Sequence, residues 1–188
     1  MSEKTKIVEF IKRAPKAELH LHIEGTLEPS HLFKLAKKNN IKIPFSNVSE
    51  IKSAYNFSNL ESFLKIFYQG SRVLIKEQDF FDLTWAYVMK CRENNVVHAE
   101  IFFDPQTHVN RGINFDIVVN GIYKALQKAN KEFGLTSKII MCFLRHLDEK
   151  SAFEILDQAL VHKDKIIGVG LDSSELDHPP RKFERVFK

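Results

Sequence analysis

The sequence predicts an α/β fold with a parallel sheet, the N-terminal half of a (β/α)8 TIM-type barrel with an extra helical excursion after its first strand. Three observations lead there. Four short runs rich in β-branched and aromatic residues read as buried strands, helical repeats lie between them, and the first interval is too long for one crossover helix.

The strands are predicted at Ala17–Ile23, Val96–Phe103, Lys138–Arg145 and Ile166–Asp172. About seventy residues separate the first two. They must hold several helices: one following Pro29, with Leu32, Phe33, Leu35 and Ala36, then Leu60–Ile75 and Asp79–Arg92. Between the second and third strands, Phe115, Val118, Val119, Ile122, Leu126, Ala129 and Phe133 recur at helical spacing, and Gly134 stands where a C-terminal cap belongs. Ser151 with Glu154 resembles a capping box opening a helix that carries Phe153, Leu156 and Leu160. The tail from Pro179 to Lys188 reads as the first turns of a further helix with no closing cap.

A complete barrel of this kind takes about 250 residues. Residues 1–188 are therefore read as one incomplete barrel domain of four β/α units, ending as a truncation. The first and fourth strands should be bare edges, which favours aggregation.

Composition bounds the function. An apolar fraction of 44% and a charged fraction of 28% are those of an ordinary globular domain. The N-terminus interleaves Lys, Glu and Arg with single apolar residues, unlike a signal peptide, and no apolar run approaches the ~20 residues of a membrane span. A cytoplasmic protein without a membrane partner is expected. Cys91 and Cys142 sit in separate apolar runs and read as free buried thiols. The net charge of +4 is spread among acids, which suits a solvated surface and not a nucleic-acid stripe. Oligomeric state, a homo-oligomer included, stays open.

The chemistry concentrates in Ala17-Glu18-Leu19-His20-Leu21-His22-Ile23-Glu24-Gly25. Strand alternation puts His20, His22 and Glu24 on one face, the imidazoles about 6.7 Å apart by strand rise, so both can reach one metal placed between them. Gly25 breaks the strand and puts the cluster at its C-terminal end, where barrel enzymes build their sites. Solvent-facing histidines are the bland alternative. On a first strand facing a packed interior they would be costly without a shared partner.

Beyond this cluster, the segments PKAELHLHIEGTLEP, FFDLTWAYV, VVHAEIFFDPQTH, RGI, EFGLTSKIIMCFLRHL and GVGLDSSE resemble successive blocks of the adenine deaminase type within the adenosine deaminase superfamily. The resemblance covers essentially the whole chain. It implies zinc, with His20 and His22 as its first two protein ligands. Glu24 stands where adenosine deaminases place an aspartate that meets the ribose, and the longer side chain suits a free purine base. Asp172, Ser173, Ser174 and Glu175 resemble the loop that meets the purine, with Ser173 and Glu175 the stronger candidates. Asp104 and Gln106 are candidates for shaping the pocket, although Asp-Pro is also a turn former. His108, Arg111 and His146 are read as structural first. The family's third zinc histidine, its His-Ala-Gly-Glu block with the proton-shuttling glutamate, a later histidine and its paired aspartates have no counterpart before Lys188.

The resemblance thus implies zinc-dependent hydrolysis of adenine to hypoxanthine and ammonia in an intact relative, with this chain inactive alone. Adenosine deamination is the near alternative, and a non-catalytic half-barrel binding metal or purine the distant one. Cytidine-deaminase chemistry is excluded because it needs a C-x-x-C that the chain lacks. Gly168-Val169-Gly170 has no third glycine, so it is not a dinucleotide loop.

Overall fold

The computed structural model describes residues 3–188. Its frame is one parallel sheet of β1 (Lys16–His22), β2 (Val96–Phe103), β3 (Thr136–Leu144) and β4 (Ile166–Asp172), whose spatial order equals chain order. β1 and β4 are its edges, where Leu19 and Ile167 stand exposed. The helices are α1 (Glu3–Arg13), α2 (Pro29–Lys38), α3 (Val48–Ala54), α4 (Leu60–Ser71), α5 (Glu77–Glu93), α6 (Pro105–Val109), α7 (Phe115–Phe133) and α8 (Glu149–Leu160). The excursion after β1 thus comprises α2 to α5. Of these elements, α1, α3 and α6 are not evident in the sequence pattern: α1 buries none of its residues, and α3 and α6 are two turns or less.

Local chemistry explains most boundaries. Asn59 and Ser62 form a reciprocal capping box that opens α4. The Asn114 side chain accepts from the Asp116 N–H to open α7, and Gly134 closes it in the left-handed conformation, φ 76°. At α5, the buried Asp79 carboxylate accepts from the Ile75 and Lys76 N–H groups, 3.1 and 2.9 Å away. It also binds Lys38 Nζ at 2.8 Å and Asn39 Nδ2 at 2.7 Å, locking the end of α2 to the start of α5.

Three sequence expectations are corrected. Ser151 does not cap α8: Asp148 does, accepting from the Ser151 N–H at 2.8 Å, so the helix starts at Glu149 and Ser151 lies within its first turn. The strand ends at His22, so Glu24 lies on a 3-10 turn, Ile23–Thr26, and not on the strand face. The tail forms only a 3-10 turn, Pro180–Phe183, with Phe183 buried.

The core lies between the sheet and α5 and α7. Along β2, Ala99, Ile101 and Phe103 are buried while Glu100 and Phe102 on the opposite face are half-buried. The α7 stripe of Val118, Val119, Ile122, Ala125 and Leu126 is buried throughout. Gly121 lets α5 and α7 meet at backbone distance: a Cβ there would lie 2.5 Å from the Glu77 carbonyl oxygen and 2.7 Å from Phe80 Cβ. The free thiols Cys91 and Cys142 are both buried, and no helix of the described residues is long and apolar enough to cross a membrane.

Candidate functional site

Parallel pairing ends β1, β2 and β4 at the same level, and their last residues supply the site. His22 is opposite Phe102 in the β1–β2 ladder, and Leu144 is opposite Asp172 in β3–β4. The two imidazoles of β1 converge, with His20 Nε2 and His22 Nε2 3.3 Å apart. Phe102 supports both rings, at centroid distances of 4.7 and 5.2 Å. Two nitrogens bound to one tetrahedral zinc at ~2.05 Å each are separated by ~3.3 Å. The pair therefore has the spacing that such an ion requires.

The other nitrogen of His22, Nδ1, faces carboxylates: Asp172 Oδ2 at 3.2 Å and Asp104 Oδ1 at 3.8 Å. Burial works against a charge on His22, but Asp104 and Asp172 outweigh it and push the pKa up to about 10. Asp104 is itself buried, and desolvation together with the neighbouring Glu24 raises its pKa well above the usual carboxylate range. Burial likewise pushes the Cys142 thiol up, so it stays protonated. His22, Asp104, Cys142 and Asp172 offer donor atoms within 4.8 Å of one another. Glu24 Oε2, Asp104 Oδ1 and Asp172 Oδ1 are buried without a hydrogen-bond partner. Unpaired carboxylate oxygens in a dry site are costly, and a bound cation or a hydrogen-bond donor relieves that cost. A carboxylate on the far nitrogen of a metal-binding imidazole is a common way of fixing its tautomer and raising its basicity.

Glu24 reaches this cluster from the turn that follows β1. Its Oε1 accepts from the Asp104 N–H at 3.1 Å and lies 2.9 Å from His108 Nε2. On the far side of the imidazole, Arg111 Nη2 is 2.8 Å from His108 Nδ1. Ser173, the residue after β4, adopts φ 79°, and its Oγ accepts from the Tyr68 hydroxyl at 2.6 Å and lies 2.8 Å from His146 Nδ1. Burial raises the Tyr68 pKa, so the phenol remains a donor.

The structure thus brings His20, His22, Glu24, Asp104 and Asp172 together, with Ser173 at the edge. It does not bring Glu175 in: that side chain is 70% exposed and paired with Arg145 Nη1 at 2.7 Å. Gln106 is a structural staple, its amide bridging the Leu144 N–H and Ser151 Oγ. Sequence reasoning missed the tie of His108 to Glu24 and the reach of Tyr68 from α4. The block FFDPQTH marks the neighbourhood of His108 without revealing its partner.

A family profile described as adenosine deaminase matches residues 15–188. The chain belongs to the adenosine deaminase family. It is 60% identical over 182 residues to an adenine deaminase from Psychrobacter cryohalolentis, covering 97% of this chain and 55% of the relative. The crystal structure of an adenine deaminase from Arthrobacter aurescens superposes with a TM-score of 0.89 at 46% identity, covering 92% of this chain and 53% of that one. An amidohydrolase from Burkholderia ambifaria, solved with bound zinc, shares the fold at 23% identity, with a TM-score of 0.85 over 100% of this chain and 51% of its own. The chain spans about half the length of the curated relatives it matches, and its four strands correspond to the N-terminal half of the adenine deaminase barrel.

Proposed function

We propose that residues 1–188 supply the metal cradle and part of the base pocket of a zinc-dependent deaminase that converts adenine to hypoxanthine and ammonia. The observation that carries the reading is the 3.3 Å approach of the His20 and His22 ε nitrogens, supported by the 60% identity to an adenine deaminase.

The chemistry a bound zinc supplies is Lewis-acid activation of water, here for attack on C6 of adenine. The chain's own residues do the rest of what this half contains. His20 and His22, whose ε nitrogens converge, would hold the ion. Asp172, 3.2 Å from Nδ1 of His22, favours a proton there and keeps that ring in the ligating tautomer, with the Asp104 carboxyl beside it. Glu24 presents Oε2, a buried acceptor, to the purine. A free base offers a ring N–H to such an acceptor, and a nucleoside has its sugar on N9 instead, which favours adenine over adenosine. Ser173, held by Tyr68, directly follows Asp172 at the end of β4, and Glu175 belongs to the same loop.

The sequence contains no His-Ala-Gly-Glu block and no third zinc histidine in the family's pattern. The 188-residue chain therefore binds zinc weakly and does not turn over adenine by itself. Purified chain tested with zinc against adenine and adenosine, following hypoxanthine or inosine by absorbance, decides this: turnover would overturn the assignment of the proton shuttle to residues outside this stretch. Absence of zinc binding in equilibrium dialysis would overturn the cradle.

A further inference from the structure

The half-buried Arg111 and the buried His108 and Glu24 form a series that leads from the helical excursion toward β1. The guanidinium of Arg111 donates to the Thr107 carbonyl at 3.2 Å, to the Arg72 carbonyl at 3.2 Å, to the Ser71 carbonyl at 3.0 Å and to the Leu74 carbonyl. Those contacts fix it against the end of α4. The same Nη2 that meets the Ser71 and Leu74 carbonyls also lies 2.8 Å from His108 Nδ1, so its two hydrogens are shared among three acceptors.

An arginine side chain has donors and no acceptor. The 2.8 Å contact is therefore a hydrogen bond only if Nδ1 carries a lone pair. The imidazole must then hold its single proton on Nε2, and Nε2 lies 2.9 Å from Glu24 Oε1. Glu24 Oε1 consequently receives two donors, His108 Nε2–H and the Asp104 backbone N–H. Oε2 receives none from the protein. A carboxylate gripped at one oxygen by two fixed donors has one rotamer and one free acceptor.

We propose that His108 is a positioning residue for Glu24: Arg111 dictates its tautomer, and its Nε2–H orients the carboxylate so that Oε2 is an obligate acceptor for a purine ring N–H. This rests on the reading of Glu24 as a base-recognition residue and extends it to the selectivity of the site for free bases. Full burial of the imidazole, with Arg111 nearby, lowers its pKa, and Phe80 lies edge-on to it at 4.8 Å. The neutral ring that the geometry requires is therefore also the one its surroundings favour. A mere structural staple would serve stability alone and leave ligand selectivity untouched.

The test uses the 188-residue chain with two readouts. The first is the imidazole 15N NMR spectrum of histidine-labelled protein without ligand. One neutral tautomer protonated at Nε2 is expected for His108, and a tautomer mixture in R111A; a proton on Nδ1, or a spectrum indifferent to R111A, overturns the relay. The second is titration of zinc-loaded protein with adenine and with 9-methyladenine, which lacks the N9–H. Native protein should prefer adenine by about 10- to 100-fold, the worth of a hydrogen bond to a charged group. His108→Ala should erase that preference, and His108→Gln, which keeps an N–H donor near the place of Nε2, should restore part of it. A native preference that survives in H108A overturns the relay and leaves the adenine reading intact. A native protein that binds the two purines alike, or binds neither, overturns the adenine reading and the role of the relay with it.

Discussion

The Tyr68 hydroxyl donates to Ser173 Oγ at 2.6 Å across 105 positions of sequence, fastening the helical excursion to the end of β4. Ser173 holds a left-handed backbone, φ 79°, that costs a residue with a Cβ about 1–2 kcal/mol and glycine almost nothing. Ser173→Ala keeps that strain and loses the hydroxyl, whereas Ser173→Gly loses the hydroxyl and relieves the strain. Urea unfolding should therefore find Ser173→Gly the more stable by about 1 kcal/mol. Tyr68→Phe should cost about 1 kcal/mol, since it leaves the serine oxygen with His146 alone. Equal stability of the two Ser173 variants would mean that the loop relaxes out of the left-handed region.

Zinc affinity should separate the two faces of His22. His20→Ala and His22→Ala each remove one of two converging nitrogens and should abolish measurable binding in competition with a chromophoric chelator. Asp172→Asn keeps both nitrogens and disturbs only the partner of Nδ1, for a loss of about 10- to 100-fold. Should His20→Ala bind as tightly as native protein, the ion would have to sit among His22 Nδ1, Asp104, Cys142 and Asp172 instead.

The lock between α2 and α5 carries a pH signature. Burial alone would raise the Asp79 pKa, but the Lys38 ammonium and the Lys76, Ile75 and Asn39 donors outweigh it and hold the carboxyl below its ordinary value. A folded pKa below the unfolded value of about 3.9 means the stabilisation is complete above that pH and is lost as pH falls through the folded value. Asp79→Asn should cost about 1–2 kcal/mol at neutral pH, because the amide loses the charged acceptor shared by four donors, while Lys38 is part-exposed and keeps Asp82 3.9 Å away. The gap between native and variant should narrow below about pH 4. Parallel stability curves from pH 7 to 3 would show that Asp79 contributes through hydrogen bonds alone.

Gly121→Ala should be the most damaging conservative change in the α5–α7 contact. The added methyl has the Glu77 carbonyl and Phe80 Cβ in its way, backbone and rigid core atoms with no freedom to turn aside. A cost of about 1–3 kcal/mol is expected from overpacking, despite the better helix propensity of alanine. Thermal unfolding reads it directly, and an unchanged midpoint would mean that the two helices slide apart at no cost.

Strand locations were legible because each is a short apolar run: the limits of β2 and β4 coincide with the predicted ones, and β3 is offset toward its N-terminus. The two histidines were legible for a local reason, alternation on one strand. Glu24 was assigned to the right neighbourhood by the wrong geometry, since alternation says nothing about where the β1–β2 ladder stops, at His22 opposite Phe102. His108 was illegible as a partner of Glu24 because 84 positions separate them. Ser151 misled because S-x-x-E marks a start one turn too late: Asp148, three positions upstream, is itself a good cap and opens the helix first.

Because the strands lie side by side in the order β1-β2-β3-β4, every new strand docks on an edge already present when it leaves the ribosome. The sheet can therefore assemble in the direction of synthesis, with no strand waiting to be inserted between two others. α4 is fastened late, since Tyr68 is made 105 positions before the serine that secures it. Stalled nascent chains probed by limited proteolysis should accordingly show α4 gaining full protection only after β4 has emerged.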